Sequence, residues 1–225
     1  MKINSTNIEW LGHSTVKINT EEKVIYIDPY QLTTTKEKSE KADFILITHS
    51  HYDHCSQQDI QKIVKDGTII ICTADSQSKI ARLGEKIRLE LIEPGMEIAA
   101  DSIKIRAIEA YNPNKKFHPK SEGWVGYIIQ TDNLVIYHAG DTDIIKEMEK
   151  LTGYAKKGNT FIIFLPIGGT YTMNAEEAAK AASIIKPTLA IPMHYGAIVG
   201  SRSDAEKFVK LCKEQDIKAQ ILEKS

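Results

Sequence analysis

The sequence predicts an α/β fold in which two β-sheets carry helices on their outer faces, within a single domain over residues 1–225. Short apolar runs typical of strands alternate with single helical patterns in both halves of the chain. No composition break or long linker divides the sequence, which favours one domain. Several apolar runs are followed directly by His or Asp, and this placement predicts a functional site at the strand ends.

The first part of the chain predicts a small group of strands followed by a loop. Gly12 and the stretch Thr20-Glu21-Glu22 separate the strands as turns, and Pro29 ends the last strand. The polar, aperiodic segment 31–41 is expected to be an exposed loop. The predicted strands cover residues 8–11, 15–18 and 24–27.

Residues 43–83 predict a strand, a histidine-rich loop and a helix, followed by a second strand and a short helix. Ser56 as N-cap, with Asp59 at the third helical position, begins the first helix, and Gly67 ends it. The other elements are strands over 43–48 and 68–73 and a helix over 76–83.

The second half begins with alternating strands and continues with strands separated by single helices. Asp101-Ser102 predicts a turn, and Thr131-Asp132-Asn133 predicts the turn of a hairpin. Asn174 and Glu177 form a capping box for one helix, and Ser203 is expected to cap another. The predicted elements are strands within 87–110 and over 124–129, 134–137, 161–165 and 188–192, helices over 175–185 and after 203, and a closing strand over 219–222.

Composition excludes several classes of partner. The chain has 29 basic and 30 acidic side chains without a long basic stripe, so a nucleic-acid partner is not expected. No run approaches the roughly twenty apolar residues of a membrane span, and the first residues lack a signal-peptide pattern. Three widely spaced cysteines, Cys55, Cys72 and Cys212, predict free thiols in a reducing compartment. The expected location is the cytoplasm.

The segment His49-Ser50-His51-Tyr52-Asp53-His54 follows the apolar run 44–47 directly. Three imidazoles and one carboxylate this close together provide the nitrogen and oxygen donors of a transition-metal site. A loop held by a strand end keeps such donors in place. The segment therefore predicts half of a two-metal hydrolytic centre.

Further donors are expected from later strand ends. Asp141 follows the apolar strand 134–137, and its two oxygens can bridge two cations. His194 follows another apolar run in the same way. His118 and His138 compete for the remaining position. His118 is favoured because it lies in an aperiodic loop, whereas His138 is out of register with its strand and fits an outer partner of a ligand.

Together these residues resemble the metallo-β-lactamase superfamily of metal-dependent hydrolases and, more narrowly, its ascorbate-6-phosphate lactonase-like branch. The resemblance implies a four-layer αβ/βα sandwich, the metallo-β-lactamase fold. The motifs that carry it span nearly the whole chain: WLGHSTV (10–16), VIYIDPY (24–30), ADFILITHSHYDH (42–54), GWVGYII (123–129), YHAGDT (137–142), LPIGGTYTM (165–173) and IPMHYG (191–196).

The resemblance also implies how the ligands are shared. Many relatives place the third histidine of the first metal at the position that is Asn112 here, so His118 is expected to replace it and Asn112 is a weaker candidate. His13 is expected near the site, where it would orient substrate or donate a proton to the leaving group. The expected ligands are His49, His51 and His118 for one metal, Asp53, His54 and His194 for the other, and Asp141 as the bridge.

The predicted activity is hydrolysis of a small ester, lactone or phosphoester by a hydroxide that bridges two divalent metals. Asp53 and His13 are the catalytic candidates. Zinc is the expected metal, with manganese, iron or nickel as alternatives. Other functions to be weighed are a phosphodiesterase acting on nucleotides or lipid headgroups, and a non-catalytic metal-binding regulatory protein.

The expected partner is a small, anionic molecule, because the metal site carries net positive charge. A homo-oligomer is compatible with the sequence. The candidate substrate-binding residues are Asn112, Lys116, Lys120 and Tyr195.

Overall fold

A seven-stranded sheet and a six-stranded sheet make up the strands of the computed structural model. The structure describes residues 1–20, 22–83, 86–100, 102–131, 133–155 and 158–225, so one residue of each of three predicted turns, Glu21, Asp101 and Asp132, lies outside the described residues. Contacts group the chain into a first unit, Met1–Ile92 with Leu222–Ser225, and a second unit, Glu93–Ile221. The single domain expected from the sequence stays a prediction.

The sheet of the first unit is antiparallel at one side and parallel at the other. Strands β1 to β4 form an antiparallel meander, and β4 to β7 run parallel. All four residues of β5 are buried, as expected for an apolar strand inside a parallel sheet. The strands are β1 Lys2–Ile3, β2 Thr6–Gly12, β3 Thr15–Asn19, β4 Val24–Ile27, β5 Phe44–Ile47, β6 Ile69–Cys72 and β7 Arg88–Leu91.

One face of this sheet is covered by helix α1, Gln57–Ile63. The helix begins at the predicted N-cap, where the Ser56 side chain accepts a hydrogen bond from the Asp59 backbone N–H. Ile60 and Ile63 of α1 lie in the same buried apolar cluster as Ile45 of β5. The loop between β5 and α1 is therefore fixed at both ends. A 3₁₀ turn, Ala74–Ser76, and helix α2, Gln77–Ile80, occupy the predicted position of the next helix.

The second unit repeats the same order of pairing. Strands β8 to β11 are antiparallel neighbours, and β11, β12 and β13 run parallel. Two 3₁₀ segments, Lys120–Glu122 and Lys146–Gly153, lie between strands. The strands are β8 Glu97–Ala100, β9 Ile103–Glu109, β10 Val125–Gln130, β11 Leu134–His138, β12 Thr160–Pro166 and β13 Leu189–Met193.

Helices α3, Ala175–Ile185, and α4, Arg202–Glu214, belong to the second unit. The capping box predicted for α3 is present, with Asn174 and Glu177 each bonding the backbone N–H of the other. The start predicted for α4 is wrong. Ser201 and Asp204 form its capping box, so the helix begins two residues before the Ser203 cap that the sequence suggested.

The predicted closing strand is also shorter than expected, since only a single bridge joins Ala190 to Ala219. Among the residues that the structure describes, no helix is both long and apolar enough to span a membrane.

Polar residues follow the parallel strands in both units. Asp28 follows β4 and His49 lies two residues beyond β5 in the first unit, while Asp141 and His194 follow β11 and β13 in the second. The carboxyl ends of parallel strands lie at one edge of their sheet. Each sheet thus presents its candidate site residues at its own carboxyl edge.

Candidate metal centre

The first unit carries a group of metal-binding side chains that we call the first cluster: His13, His49, His51, Asp53 and His54. Candidate ligand atoms of His13, Asp53 and His54 lie within 4.8 Å of one another, and those of His49 and His51 are equally close. The rings of His49 and His54 are 4.1 Å apart between centroids. His51 is the least buried member, whereas His49 and His54 are at most 1% exposed. Four imidazoles and a carboxylate therefore lie close together, and all of them except His51 are buried.

Asp28 and Thr48, which the sequence analysis did not select, orient two of these histidines. The Asp28 carboxylate is fully buried and accepts hydrogen bonds from Thr48 Oγ1 and His54 Nδ1, each at 2.7 Å. Because the Thr48 hydroxyl has given its one proton to Asp28, it accepts from His49 Nδ1 at 2.9 Å. Both histidines thus carry their proton on Nδ1 and present the Nε2 lone pair, which is the form that binds a metal.

Asp53 is held by His13. His13 Nε2 lies 2.9 Å from Asp53 Oδ2, and the backbone carbonyl of His13 accepts a bond from Trp10 Nε1 at 2.8 Å. The same Asp53 oxygen is 3.6 Å from His54 Nε2. The structure therefore brings both catalytic candidates, His13 and Asp53, into contact inside the first cluster.

The second unit carries the second cluster, His118, Asp141 and His194. Asp141 Oδ2 lies 3.2 Å from His118 Nε2 and 3.2 Å from His194 Nε2. All three side chains are at most 4% exposed. One carboxylate oxygen facing two imidazole nitrogens in a buried position is a donor set suited to a divalent cation.

The loop that carries His118 is closed by Asn112. The Asn112 side-chain amide donates to the backbone carbonyls of Phe117 and Tyr171, and its backbone N–H donates to the His118 carbonyl at 2.8 Å. His118 Nδ1 lies 3.2 Å from the Tyr171 carbonyl, which fixes the proton on Nδ1 and turns Nε2 towards Asp141. Asn112 thus positions the loop, while His118 contacts the carboxylate.

His138 lies apart from the second cluster. Its Nδ1 accepts a hydrogen bond from the Gly140 backbone N–H at 3.3 Å, and its ring stacks on Phe164. It is fully buried at the end of β11. Of the two histidines that competed for the remaining ligand position, the structure places His118 against Asp141.

Several of these residues adopt a left-handed backbone conformation, which is unfavourable for residues other than glycine. Each turns the chain sharply at or near a strand end. They are His13 with φ of 51°, Asp28 with 46°, His118 with 57° and His194 with 58°.

The neighbouring Gly168 has no room for a side chain. A Cβ atom there would lie 2.7 Å from the His194 carbonyl oxygen and 3.1 Å from His194 Nδ1. Glycine at this position is therefore required for the close packing of the His194 turn.

The basic residues predicted to bind substrate have different surroundings. Lys120 Nζ bonds Glu147 Oε1 at 2.9 Å and lies over the ring of Tyr111. Lys116 is exposed. Tyr195 is buried beside His194, with 4% of its surface exposed. The Lys120 charge is thus balanced by a carboxylate.

The donor chemistry of both clusters fits divalent transition metals. Imidazole nitrogens and carboxylate oxygens suit zinc, manganese, iron and nickel. Cys55, which follows the first cluster in the chain, is a buried thiol whose pKa burial raises to about 11, so it stays protonated at neutral pH. The two buried His/Asp clusters are therefore able to bind metal ions without a thiolate.

Comparisons with known proteins agree with this chemistry. A family model described as the beta-lactamase superfamily domain matches residues 7–194. A UPF0173 metal-dependent hydrolase of Caldivirga maquilingensis is 34% identical over 209 residues, which cover 91% of this chain and 88% of that protein.

Solved structures of metal-dependent hydrolases are also similar to this chain. A protein of Parabacteroides distasonis described as a metal-dependent hydrolase superposes with a TM-score of 0.83 at 32% identity, covering 98% of this chain and 94% of that one. A metallo hydrolase of Ignicoccus hospitalis gives a TM-score of 0.77 at 24% identity, covering 97% and 95% of the two chains. The second likeness concerns the fold alone.

Proposed function

The chain belongs to the beta-lactamase superfamily and, within it, to the UPF0173 family of metal-dependent hydrolases, and from this membership we propose that it cleaves a small ester, lactone or phosphoester with two divalent metals. Its fold is the metallo-β-lactamase fold, with two mixed sheets flanked by helices, as the sequence predicted. The observation that carries the proposal is the pair of buried His/Asp clusters.

The two clusters are proposed to supply one dinuclear centre. Neither cluster alone offers enough ligands for two complete metal shells, and the order of the donors along the chain is that of the superfamily's motifs. The assignment is His49, His51 and His118 for one metal, Asp53, His54 and His194 for the other, and Asp141 as the bridging carboxylate.

When bound, two divalent cations would lower the pKa of a shared water towards neutrality and stabilise the oxygen that gains charge as the bond breaks. The protein's own residues prepare the site for this. Asp28 and Thr48 keep Nε2 of His54 and His49 available as donors. His13 fixes the Asp53 carboxylate and is proposed to orient substrate or to protonate the leaving group.

Zinc is the proposed metal, since zinc accepts imidazole and carboxylate ligands readily, and manganese, iron or nickel are the alternatives. A reducing compartment such as the cytoplasm is proposed because Cys55, Cys72 and Cys212 are buried free thiols.

The substrate is proposed to be a small anion. The motif likeness to the ascorbate-6-phosphate lactonase-like branch favours a lactone bearing a charged group. Of the candidate substrate-binding residues, Lys116 is exposed and Lys120 is bonded to Glu147. Lys116 is therefore the stronger of these two candidates. Asn112 and Tyr195 are proposed to lie near the bound substrate.

Metal analysis combined with an assay panel tests the proposal. Protein purified with its metals is assayed on lactone, carboxyl-ester and phosphodiester substrates, and Asp53→Asn is expected to lower turnover by about 100-fold or more. Asp66→Asn, an exposed turn residue, is the matched control and should keep full activity. Two metals per chain without turnover on any substrate would favour a non-catalytic metal-binding protein. Turnover confined to phosphodiesters would favour a phosphodiesterase, and full activity of Asp53→Asn would contradict every hydrolytic version.

A further inference from the structure

The first unit contains a cleft of about 480 Å³ next to the first cluster. Its walls come from the metal-binding loop, from the start of α1 and from α2. Gln57 Nε2 of α1 donates to the Lys79 carbonyl of α2, so the two helices are tied together beside the cleft. The lining residues used below are Tyr30, Tyr52, Cys55, Ser56, Lys79 and Arg82.

The cleft is separated from the catalytic candidates by a single aromatic ring. The ring of Tyr30 contacts the His13 ring edge-on at 5.7 Å and the Tyr52 ring at 5.9 Å, both between centroids. Tyr52 lies between His51 and Asp53 in the chain and is 62% exposed. A molecule held in the cleft would therefore lie one aromatic ring away from the His13–Asp53 pair.

The described residues that line the cleft provide two cations and no carboxylate. The Lys79 ammonium donates to the Ser50 carbonyl, a neutral acceptor inside the metal-binding loop. Arg82 is exposed and forms no ion pair with any described residue. In contrast, Lys115 and Lys120 of the second unit are paired with Asp143 and Glu147. Among the described residues, the two cations of the cleft thus form no ion pair, whereas those two lysines do.

The remaining lining groups are neutral and polar. Gln31 Nε2 donates to the Tyr30 hydroxyl at 3.2 Å, which leaves the phenolic proton of Tyr30 able to bond an acceptor. Hydroxyls and amides beside two cations favour a hydrophilic ligand with a carboxylate or phosphate, because guanidinium and ammonium groups bind these oxyanions through charge-assisted hydrogen bonds.

We propose that this cleft binds an oxyanion group of the substrate, so that the enzyme selects esters or lactones that bear a carboxylate or phosphate away from the scissile bond. Arg82 and Lys79 would hold the oxyanion, and Tyr52 would cover the adjoining part of the molecule. The inference rests on the proposed hydrolase function and names the part of the chain that sets its substrate class.

Matched substrate pairs test the proposal. One pair is para-nitrophenyl butyrate and mono-para-nitrophenyl glutarate, which differ by a terminal carboxylate, and the other is gluconolactone and its phosphate monoester. The metal-loaded wild type is compared with Arg82→Gln, which removes the charge without removing a described structural bond. Arg106→Gln, on the exposed face of β9, is the matched control.

Arg82→Gln is expected to lower kcat/KM for the anionic member of at least one pair by about 10- to 100-fold and to change the neutral member by less than about twofold. Arg106→Gln should behave like the wild type. The pair that responds tells whether the group is a carboxylate or a phosphate. An equal effect on both members of each pair, or no effect on either, would overturn the proposal while leaving the hydrolase function standing.

If the wild type cleaves none of these substrates, the failure falls on the proposed function, and binding decides the role of the cleft. Calorimetric titration with glutarate and with inorganic phosphate would then compare the wild type with Arg82→Gln and Arg106→Gln. Binding weakened at least about tenfold only in Arg82→Gln supports an oxyanion site. Equal affinity in all three proteins overturns it.

Discussion

Replacing Asp28 by asparagine tests how the first cluster is prepared for a metal. The Asp28 carboxylate accepts from the Thr48 hydroxyl and His54 Nδ1, and it also accepts from the Thr48 backbone N–H at 2.8 Å. An asparagine of the same shape can keep the backbone bond through its oxygen, but its NH₂ group then faces the other two donors. Thr48 would turn its hydrogen towards His49 Nδ1, and His54 Nδ1 would become an acceptor. Both histidines would move their proton to Nε2 and lose the metal-binding form.

The size of the effect follows from the two histidines involved. Loss of an outer hydrogen-bond partner typically weakens a metal site by about 10- to 100-fold, or about 1.4 to 2.8 kcal/mol. Because His49 and His54 are assigned to different metals, Asp28→Asn should weaken both sites rather than one. The fold should persist, since the substitution preserves volume and one of the three bonds.

Competition with a chromophoric chelator measures the two metal affinities, and nitrogen-15 NMR of the imidazoles reports the tautomers directly. Asp59→Asn is the matched control, because Asp59 is a buried carboxylate of the same unit that accepts the backbone N–H groups of Gln31 and Leu32. It should leave metal affinity unchanged. Wild-type affinity at both sites of Asp28→Asn, or unchanged tautomers of His49 and His54, would refute the reasoning.

Three further predictions concern stability and the thiols. Burial alone would raise the pKa of Glu147, but hydrogen bonds from Lys120 and Tyr111 outweigh burial and hold the pKa below its usual range. Urea denaturation should therefore show Glu147→Gln to be less stable than the wild type at pH 7, and this difference in stability should shrink below about pH 4. A difference that does not depend on pH would contradict the prediction. Phe208→Ala, in the fully buried face of α4, should cost about 3 to 5 kcal/mol, whereas a loss below about 1 kcal/mol would mean that the α4 packing is misassigned. The buried thiols of Cys72 and Cys212, whose pKa burial raises to about 12, should react with a thiol reagent only after denaturation, and rapid labelling of either thiol in the native protein would argue against its burial.

Local patterns account for the parts of this molecule that the sequence predicted well. Helix α3 has its predicted bounds because Asn174 and Glu177 satisfy the first N–H groups and Pro187 cannot continue the helix. The sequence holds two overlapping boxes near α4, Ser201 with Asp204 and Ser203 with Glu206. Their spacing is the same, and the structure uses Ser201 with Asp204, so the spacing alone does not identify the cap.

Long-range pairing explains what the sequence analysis missed. Asp28 reaches Thr48 and His54 only because β4 and β5 pair in parallel with Ile27 beside Leu46. Asp28 directly follows an apolar strand, and this position in the sequence could have identified it. The other acids and histidines at strand ends were identified by the same criterion. The ion pair between Lys120 and Glu147 joins residues that are far apart in the chain, so no local sequence pattern predicts it.

Anomalous diffraction from crystals of the protein purified with its metals tests the dinuclear centre most directly. The account predicts two metal ions per chain, roughly 3.5 to 4 Å apart, with His49, His51 and His118 on one, Asp53, His54 and His194 on the other, and Asp141 touching both. A single ion, or ions bound by the residues of only one cluster, would contradict it.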